Sequence, residues 1–372
     1  MDLSKTANPL LKLKDLGQSI WLDDIRRAWL EDGTLARLIA DDGLAGVTSN
    51  PAIFEKAISK TRDYDAAIGA LARAGASPPA IYDALTIDDV RRAADLFRPL
   101  HERTGGADGF VSLEVSPHLA HDTRNSVAEA HRLWERLDRP NVMIKIPGTR
   151  AGLQAVRELI TDGVNVNVTL LFSVARYRAV VEAFMAGLEQ RARERKSVDR
   201  IASVASFFLS RIDTLVDRLL DAIGTADAAA LRGQAAIACA RLAYQNYREE
   251  WSVSARWQAL AGRGAHPQRL LWASTSTKDE AYGDLKYVEA LVGPDTVNTL
   301  PPETLAAYRG GGRPVLRLEN DLAAAHALPQ QLGALGIDLE TVAETLEREG
   351  VRKFIEPYDA LLRTLAQRTT KQ

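Results

Sequence analysis

The sequence has few cysteines and histidines, and neither positive nor negative charges are in large excess. Cys239 is the single cysteine among 372 residues, so no disulfide can form within the chain. The six histidines show no spacing typical of a metal site. A formal net charge of −2 gives no basic surface of the kind that binds nucleic acid. We therefore expect neither a metal site nor a nucleic-acid partner.

Long hydrophobic runs are also absent. No stretch reaches the roughly 20 apolar residues that a membrane-spanning helix needs. Residues 1–9 lack the apolar core of a signal peptide. The sequence thus predicts a soluble, cytoplasmic protein without a membrane partner. With 46% hydrophobic residues, the chain can bury one large core or two ordinary ones.

Short β-like runs alternate with longer amphipathic stretches along the chain. This alternation predicts βα units and a parallel sheet, and eight such units favour a closed (β/α)8 TIM barrel with extra helices. The alternative is an open doubly wound sheet, but no glycine-rich phosphate turn follows the first run. The eight predicted strands are 19–23, 45–50, 110–116, 141–147, 164–170, 201–209, 269–275 and 295–300.

The spacing of these runs is uneven. A long piece, about 55–105, separates the second and third strands and predicts a helical insertion, and 301–372 predicts C-terminal helices. Residues 213–250 have the pattern of one long helix, whereas 252–268 predict a solvated loop. Neither an internal repeat nor a low-complexity linker divides the chain, so a single domain over 1–372 is expected.

The most informative segment is Asn141-Val-Met-Ile-Lys-Ile-Pro-Gly148, in which a lysine interrupts a β-rich apolar run. Side chains alternate along a strand, so Lys145 lies opposite the face formed by the valine and isoleucines. Burial favours the neutral amine, and a neutral amine attacks carbonyl carbons to form a Schiff base. The alternative is a lysine at a strand end whose amine extends to water.

Several other predicted strands carry polar residues on the side that would face inward. In 164–170, for example, Asn165, Asn167 and Thr169 alternate with the valines and Leu170, which would face outward. Barrel enzymes build their active sites at the carboxyl ends of the strands, where these residues lie. Two carboxylates near Lys145 would favour its ammonium, so the sequence leaves the protonation of that group open. The predicted site contains Asp23, Asn50, Glu114, Lys145, Asn167, Thr169 and Ser206.

Two of these residues have an equally good structural explanation. Asn50 precedes Pro51, which is a typical helix start with an N-cap followed by proline. Asp23 is followed by Asp24 and fits a charge at a helix N-terminus. Glu114 lies between hydrophobic residues, and an unpaired buried carboxylate is costly, so a purely structural explanation is weaker there.

Three segments resemble those of transaldolases, in the same order and with similar spacing. Gly46-Val-Thr-Ser-Asn-Pro-Ala-Ile-Phe54 resembles the signature around the second strand of that family. Val142-Met-Ile-Lys-Ile-Pro-Gly148 resembles the Schiff-base lysine segment, and Asn165-Val-Asn-Val-Thr-Leu-Leu-Phe-Ser173 resembles the strand after it. The resemblance spans about residues 19–300, and the length suits the longer bacterial type.

The resemblance implies catalytic roles for four residues. Lys145 would attack the ketose carbonyl to form the iminium, and Asp23 would be the acid and base for carbon–carbon cleavage. Glu114 and Thr169 would hold a water that carries protons during Schiff-base formation. The iminium itself accepts the electrons of the departing bond, so the scheme needs neither a metal nor a cofactor.

The resemblance also implies a substrate-binding set. Asn50 and Asn167 would bind hydroxyl groups of the substrate and the intermediate. Ser206-Phe-Phe-Leu-Ser-Arg211 is similar to the phosphate segment, with Ser206 and Arg211 as phosphate ligands and Phe208 lining the site. The seventh strand departs from the family pattern, because Lys278 stands near the place where an arginine is usual. A lysine lacks the planar fork of arginine, so the phosphate contact would differ.

The implied activity is transaldolase, a transferase of the pentose phosphate pathway. It would move a three-carbon dihydroxyacetone unit from sedoheptulose 7-phosphate or fructose 6-phosphate to glyceraldehyde 3-phosphate or erythrose 4-phosphate. One alternative is a fructose 6-phosphate aldolase-like enzyme, although such aldolases usually replace Glu114 with glutamine and Phe208 with tyrosine.

A second alternative is a non-catalytic sugar-phosphate-binding barrel, and a third is a domain that works beside an isomerase. The chain's end at Gln372 argues against fusion to that isomerase but not against partnership with it. Sugar phosphates are the expected partners, and the chain is expected to be a monomer or homodimer.

Overall fold

The computed structural model describes residues 8–369. Residues 1–7, which belong to the stretch without a signal-peptide pattern, and residues 370–372 lie outside the described residues. Eight strands occur in chain order: β1 (Gln18–Leu22), β2 (Gly46–Val47), β3 (Phe110–Glu114), β4 (Val142–Pro147), β5 (Val166–Leu171), β6 (Ser203–Phe208), β7 (Arg269–Ala273) and β8 (Thr296–Leu300).

The strands form a closed parallel barrel. Each strand pairs in parallel with the next along the chain, and β8 pairs with β1. The prediction of a (β/α)8 barrel is confirmed, and the open doubly wound alternative is excluded because closure leaves no edge strand. β2 has only two residues, and Asn50 caps the helix that follows it.

Helices surround the barrel, and a short 3-10 helix, Pro117–Leu119, follows β3. The α-helices are α1 (Pro9–Asp15), α2 (Arg27–Glu31), α3 (Thr34–Asp41), α4 (Pro51–Lys60), α5 (Asp65–Arg73), α6 (Pro78–Arg103), α7 (Thr123–Leu137), α8 (Arg150–Asp162), α9 (Val174–Arg193), α10 (Ser210–Ile223), α11 (Ala226–Ala230), α12 (Ala235–Val253), α13 (Ala255–Ala261), α14 (Lys286–Ala290), α15 (Pro302–Gly311), α16 (Leu322–Ala334) and α17 (Leu339–Thr369). None of the helices in residues 8–369 is long and apolar enough to cross a membrane.

Two helical predictions need correction. The single helix predicted over 213–250 is divided into α10, α11 and α12, because Gly224 and Gly233 adopt left-handed φ values of 70° and 68° that stop helices. The predicted loop over 252–268 contains α13, whose Trp257 is buried. This stretch thus contains a short helix that is anchored by two buried apolar residues, Trp257 and Leu260.

The predicted insertion region contains three helices. α4, α5 and α6 occupy the chain between β2 and β3. The 26-residue α6 packs against β3, and α17 packs against α4, α5 and α6. α17 also contacts β5 and α10. The C-terminal helix therefore connects the inserted helices to the strands that carry the predicted site.

The alternation of side chains breaks in β5. Between Val168 and Leu171 the register with β6 shifts, and Leu170 has a left-handed φ of 62°. The sequence placed Leu170 with the valines on the outer face, and this is wrong. A Cβ added to Gly350 of α17 would lie only 3.0 Å from Leu170 Cδ2, so Leu170 packs against the C-terminal helix. Such backbone irregularities are common beside active sites.

Candidate active site

Lys145 lies in one layer of the barrel with polar residues of the two neighbouring strands. The strand register places Glu114 of β3 beside Lys145 of β4, and Lys145 beside Asn167 of β5. Lys145 is 4% exposed, and its Nζ donates a hydrogen bond of 2.9 Å to the backbone oxygen of Ser49. The amine is therefore inside the barrel, and the interpretation of a strand-end lysine in water is wrong.

Glu114 is the buried carboxylate closest to that amine. Its Oε2 lies 3.5 Å from Lys145 Nζ, and neither carboxylate oxygen has a hydrogen-bond partner within residues 8–369. Burial raises the pKa of Glu114 to about 7, although the charge of Lys145 opposes this rise. A carboxyl group with such a pKa can both accept and release a proton near neutral pH.

Asp23 follows β1 on the other side of the cavity. Its Oδ1 accepts a hydrogen bond of 2.8 Å from Thr48 Oγ1, and Thr48 also contacts Thr299 Oγ1 at 2.7 Å. Burial raises the pKa of Asp23 from its ordinary value, with Lys145 acting in the opposite direction. Asp23 is thus a second buried carboxyl group near Lys145. The hydroxyl of Thr48, which in turn contacts that of Thr299, orients it.

Asn50 caps a helix and also lines the cavity. Its Oδ1 accepts a hydrogen bond of 3.0 Å from the backbone N–H of Ile53 and so caps α4. The same residue also lines the cavity that contains Lys145. Its capping bond fixes the position of the side chain, which is useful for a residue that meets a ligand.

Asn167 and Ser206 form a buried chain of hydrogen bonds beneath the cavity. Asn167 Nδ2 donates to Ser112 Oγ at 3.1 Å, and Ser206 Oγ donates to Asn167 Oδ1 at 2.6 Å. Ser206 lines the cavity, whereas Asn167 is fully buried and is absent from its lining. The hydroxyl proton of Ser206 is engaged by Asn167, so a phosphate oxygen would compete for it.

Thr169 lines the cavity, and its buried Oγ1 has no hydrogen-bond partner within the described part of the chain. It follows Asn167 by two residues and pairs in register with Pro147. Buried hydroxyl groups in folded proteins are normally satisfied. The unsatisfied oxygen of Thr169 is therefore available to a small polar molecule in the cavity, whereas Glu114 lies 3.5 Å from Lys145 but is not among the lining residues.

A cavity of about 190 Å³ lies beside Lys145 and Thr169. Because on the order of 10–15 Å³ admits one water molecule, the space is sufficient for a small polar ligand. Its lining residues are Asp23, Thr48, Asn50, Lys145, Thr169, Ser206, Phe208, Arg211, Leu271, Ala273, Ser274, Ser276, Lys278, Thr299, Pro301, Glu303 and Phe354. No group of three or more histidine, cysteine, aspartate or glutamate residues within 8–369 could hold a metal ion.

The positive end of the cavity lies at β6 and β7. Arg211 is in the first turn of α10, its guanidinium lies 5.3 Å from the centre of the Phe208 ring, and its buried Nη1 has no hydrogen-bond partner among the described residues. Lys278 follows β7, is exposed at the mouth, and donates a hydrogen bond of 2.7 Å to Ser276 Oγ. Both cations line this cavity.

Phe354 is a site residue that the sequence did not indicate. It lies on α17, more than 200 positions after Lys145, and its ring centre is 6.0 Å from Lys145 Nζ and 5.9 Å from the Arg211 guanidinium carbon. In an amphipathic helix it has the pattern of an ordinary core residue. Thr48 and Thr299 were also missed, although their strand positions give a weak signal.

Comparison with known proteins agrees with this arrangement. The sequence profile of the family described as Transaldolase/Fructose-6-phosphate aldolase matches residues 20–365. A protein of Thiobacillus denitrificans named Transaldolase is 50% identical over 93% of this chain and 96% of its own length. Proteins with that name from Thermobifida fusca (50% identical, 97% and 98%) and Mycobacterium tuberculosis (47% identical, 95% and 96%) match similarly. This chain belongs to the transaldolase and fructose-6-phosphate aldolase family.

Proposed function

We propose that this protein is a transaldolase that forms a Schiff base at Lys145. It transfers a three-carbon dihydroxyacetone unit from sedoheptulose 7-phosphate or fructose 6-phosphate to glyceraldehyde 3-phosphate or erythrose 4-phosphate, as in the pentose phosphate pathway. The observation that carries the proposal is the buried amine 3.5 Å from a carboxyl group whose pKa is about 7. Relatives about 50% identical over nearly the whole chain carry that name.

Schiff-base formation requires a neutral amine and a proton carrier. Lys145 attacks the ketose carbonyl to give a carbinolamine, and loss of water from this adduct gives the iminium. The departing hydroxyl group needs a proton, and the amine loses one. Glu114 supplies and accepts these protons through a water that it holds together with Thr169, since both have unsatisfied buried oxygens.

Cleavage of the carbon–carbon bond is assigned to Asp23. Its carboxylate takes the proton of the hydroxyl on the carbon beyond the breaking bond, the aldehyde leaves, and the electron pair enters the iminium to form an enamine. The enamine then attacks the acceptor aldehyde, and Asp23 returns the proton to the new alkoxide. Burial raises the pKa of Asp23, which makes its carboxylate a stronger base than an exposed one.

The remaining lining residues are proposed to hold the substrate. Asn50 binds a hydroxyl group of the bound chain, and Arg211 and Lys278 bind the phosphate group at the positive end. Phe208 restricts that end, and Asn167 orients Ser206 from below. Arginine gives the more directional contact, because its planar fork matches two phosphate oxygens whereas a lysine is a point charge.

An aldolase that releases the three-carbon unit is the second candidate, since the family name includes fructose-6-phosphate aldolase. The presence of Glu114 and Phe208 in the site favours transfer, because the aldolases usually have glutamine and tyrosine at those positions. With fructose 6-phosphate alone, the aldolase would release dihydroxyacetone at a steady rate. A transaldolase should consume fructose 6-phosphate steadily only when an acceptor aldehyde is added, and it should pass the three-carbon unit to that acceptor without releasing dihydroxyacetone.

A borohydride trap tests the proposal. Incubation with fructose 6-phosphate and borohydride should add one reduced three-carbon unit, and peptide mass mapping should place it on Lys145. Lys145→Arg keeps the charge but cannot form the imine, so it should abolish both labelling and turnover with the fold intact. Lys60→Arg, at an exposed helix end, is the matched control. Labelling of another lysine, or activity in Lys145→Arg, would overturn the assignment.

The proposal also covers the partners, the assembly and the location of the protein. Sugar phosphates are the proposed partners, and the chain is proposed to act as a monomer or homodimer in the cytoplasm. The single-domain organisation is also proposed, with the barrel, the inserted helices and α15 to α17 acting as one unit.

A further inference from the structure

Three aspartates stack on one face of α10, the helix that begins at the cavity. Asp213, Asp217 and Asp221 are spaced four residues apart, so they lie one above another along the helix. Asp213 is 1% and Asp217 is 5% exposed. Like charges with this spacing destabilise a helix, and buried carboxylates need partners. Those partners come from residues 232–236 and from the chain after β7.

Asp217 is held at both carboxylate oxygens. Tyr282 Oη donates to its Oδ2 at 2.6 Å, and the backbone N–H of Gly233 donates to its Oδ1 at 2.8 Å. Gly233 has a left-handed φ of 68°, and a Cβ there would lie 2.6 Å from Tyr282 Oη. The Tyr282 side chain can therefore occupy this position only because residue 233 has no side chain.

Asp213 is held in the same way one turn earlier. Lys286 Nζ and Tyr287 Oη each donate to its Oδ2 at 2.9 Å, and the backbone N–H of Ala236 donates to its Oδ1 at 2.7 Å. Lys286 Nζ also lies 3.4 Å from the centre of the Tyr282 ring. The two aspartates thus share one packed set of side-chain partners from the chain after β7, and each also accepts a backbone N–H from residues 233–236.

The third aspartate connects this set to the residue beside Lys278. Arg232 donates 2.8 Å hydrogen bonds to Asp221 of α10 and to Asp279 of the loop. Lys278 itself makes a hydrogen bond to Ser276, within its own loop. Its position relative to Arg211, in the first turn of α10, therefore depends on how the loop is fixed to that helix.

We propose that Tyr282 and Asp217 are positioning residues that hold the β7 loop on α10, so that Lys278 and Arg211 meet one phosphate group and the protein prefers phosphorylated donors. The inference rests on the proposed function, and it concerns the residues that set the preference for phosphorylated donors in that site. Neither residue lies in the cavity lining with Lys145. Their effect should therefore be confined to the phosphate end and leave the chemistry at Lys145 unchanged.

Kinetics on paired donors test the inference. Tyr282→Phe removes one hydroxyl group and keeps the ring, so KM for fructose 6-phosphate should rise about 5- to 10-fold with kcat unchanged. The value of kcat/KM for unphosphorylated fructose should stay the same. Asp217→Asn should behave similarly. Tyr244→Phe is the matched control, since Tyr244 Oη donates to the backbone oxygen of Pro294 and not to α10.

A double-variant cycle separates positioning from general stability. If Tyr282 acts through Lys278, Tyr282→Phe should have little further effect on KM once Lys278→Ala is present. Full additivity, equal losses on both donors, or an unchanged KM for fructose 6-phosphate would each overturn the inference. Thermal unfolding of every variant shows whether a loss on both donors follows from unfolding, which would also count against it.

A binding measurement keeps this test distinct from that of the proposed function. Calorimetric titration with inorganic phosphate should give a Kd about 5- to 10-fold higher for Tyr282→Phe than for the unmodified protein. Absence of the borohydride adduct in the unmodified protein would refute the proposed chemistry, whereas this titration would still report on the loop. Equal phosphate affinities in the two proteins would refute the positioning role alone.

Discussion

Glu114→Gln should slow turnover and at the same time change how stability depends on pH. The side chain is buried, keeps nearly the same shape after substitution, and lies 3.5 Å from Lys145. Glutamine cannot carry protons, so kcat should fall about 10²–10⁴-fold, the usual contribution of a positioned acid and base. KM should change little, because the proposed role lies in proton transfer and not in substrate binding.

The size of the stability effect follows from the pKa. Burial raises the pKa of Glu114 from 4.5 to about 7 in the folded protein. The folded state therefore binds the proton more tightly than the unfolded state, and this contribution is complete below pH 4.5 and lost as pH rises through 7. Between pH 5 and pH 8 the loss amounts to about 2–3 kcal/mol. Because glutamine does not titrate, the Glu114→Gln variant does not lose this stability.

Denaturant unfolding of both proteins at pH 5 and pH 8 measures this quantity. The free energy of unfolding of Glu114→Gln minus that of the unmodified protein should be larger at pH 8 than at pH 5 by about 2–3 kcal/mol, which means that the variant becomes relatively more stable. Comparing two pH values removes any effect of the substitution that does not depend on pH. Glu158→Gln, at an exposed position on α8, is the matched control and should show no such change.

The kinetics provide a second check on the same carboxyl group. The carboxylate accepts the proton, so kcat/KM of the unmodified protein should fall as pH drops below about 7. Glu114→Gln should lose this acidic limb. The reasoning is refuted if the stability difference is the same at both pH values, or if the acidic limb persists in the variant. A large rise in KM at unchanged kcat would assign Glu114 to binding instead.

Three further predictions concern the phosphate end and the scaffold. Arg211→Ala and Lys278→Ala should raise KM for fructose 6-phosphate with small effects on unphosphorylated donors, and Arg211→Ala should cost more; equal losses on paired donors would contradict this. Gly152→Ala should destabilise the fold by several kcal/mol (about 3 or more) in denaturant unfolding, because the new Cβ would lie 1.9 Å from the carbonyl oxygen of Pro147. Asp89→Ala should cost about 3–5 kcal/mol in denaturant unfolding, because the buried Arg27 keeps only the exposed Asp88 as an ion-pair partner and the Tyr64 hydroxyl loses its acceptor; a loss below about 1 kcal/mol would disprove that Asp89 is needed.

Local pattern was sufficient for the barrel and for most of the site. The β-rich composition of short runs predicted the strands, and the alternation of side chains along them placed Lys145 and Asn167 on the inner side. These predictions succeeded because the side-chain period of a strand is set by the backbone itself. The prediction that Leu170 faces outward was wrong, because the register shift in β5 depends on pairing with a neighbouring strand.

Bonding partners within the site were beyond the reach of the sequence. Asn50 was equally well explained as a helix cap and as a binding residue, and the structure shows that it caps α4 and also lines the cavity. Ser206 was assigned to phosphate, yet its hydroxyl donates to Asn167. Hydrogen bonds of this kind depend on distances across strands that a one-dimensional pattern does not contain.

By itself the sequence determined which residues face inward on each strand, since alternation is a property of the local chain, and it determined the family through three short segments. The tertiary structure alone decided how these residues act on one another. The pairing of β3 with β4 sets the 3.5 Å separation of Lys145 and Glu114, and α17 brings Phe354 over the amine. Burial and charge then fix the pKa of Glu114, because both depend on every element packed around it.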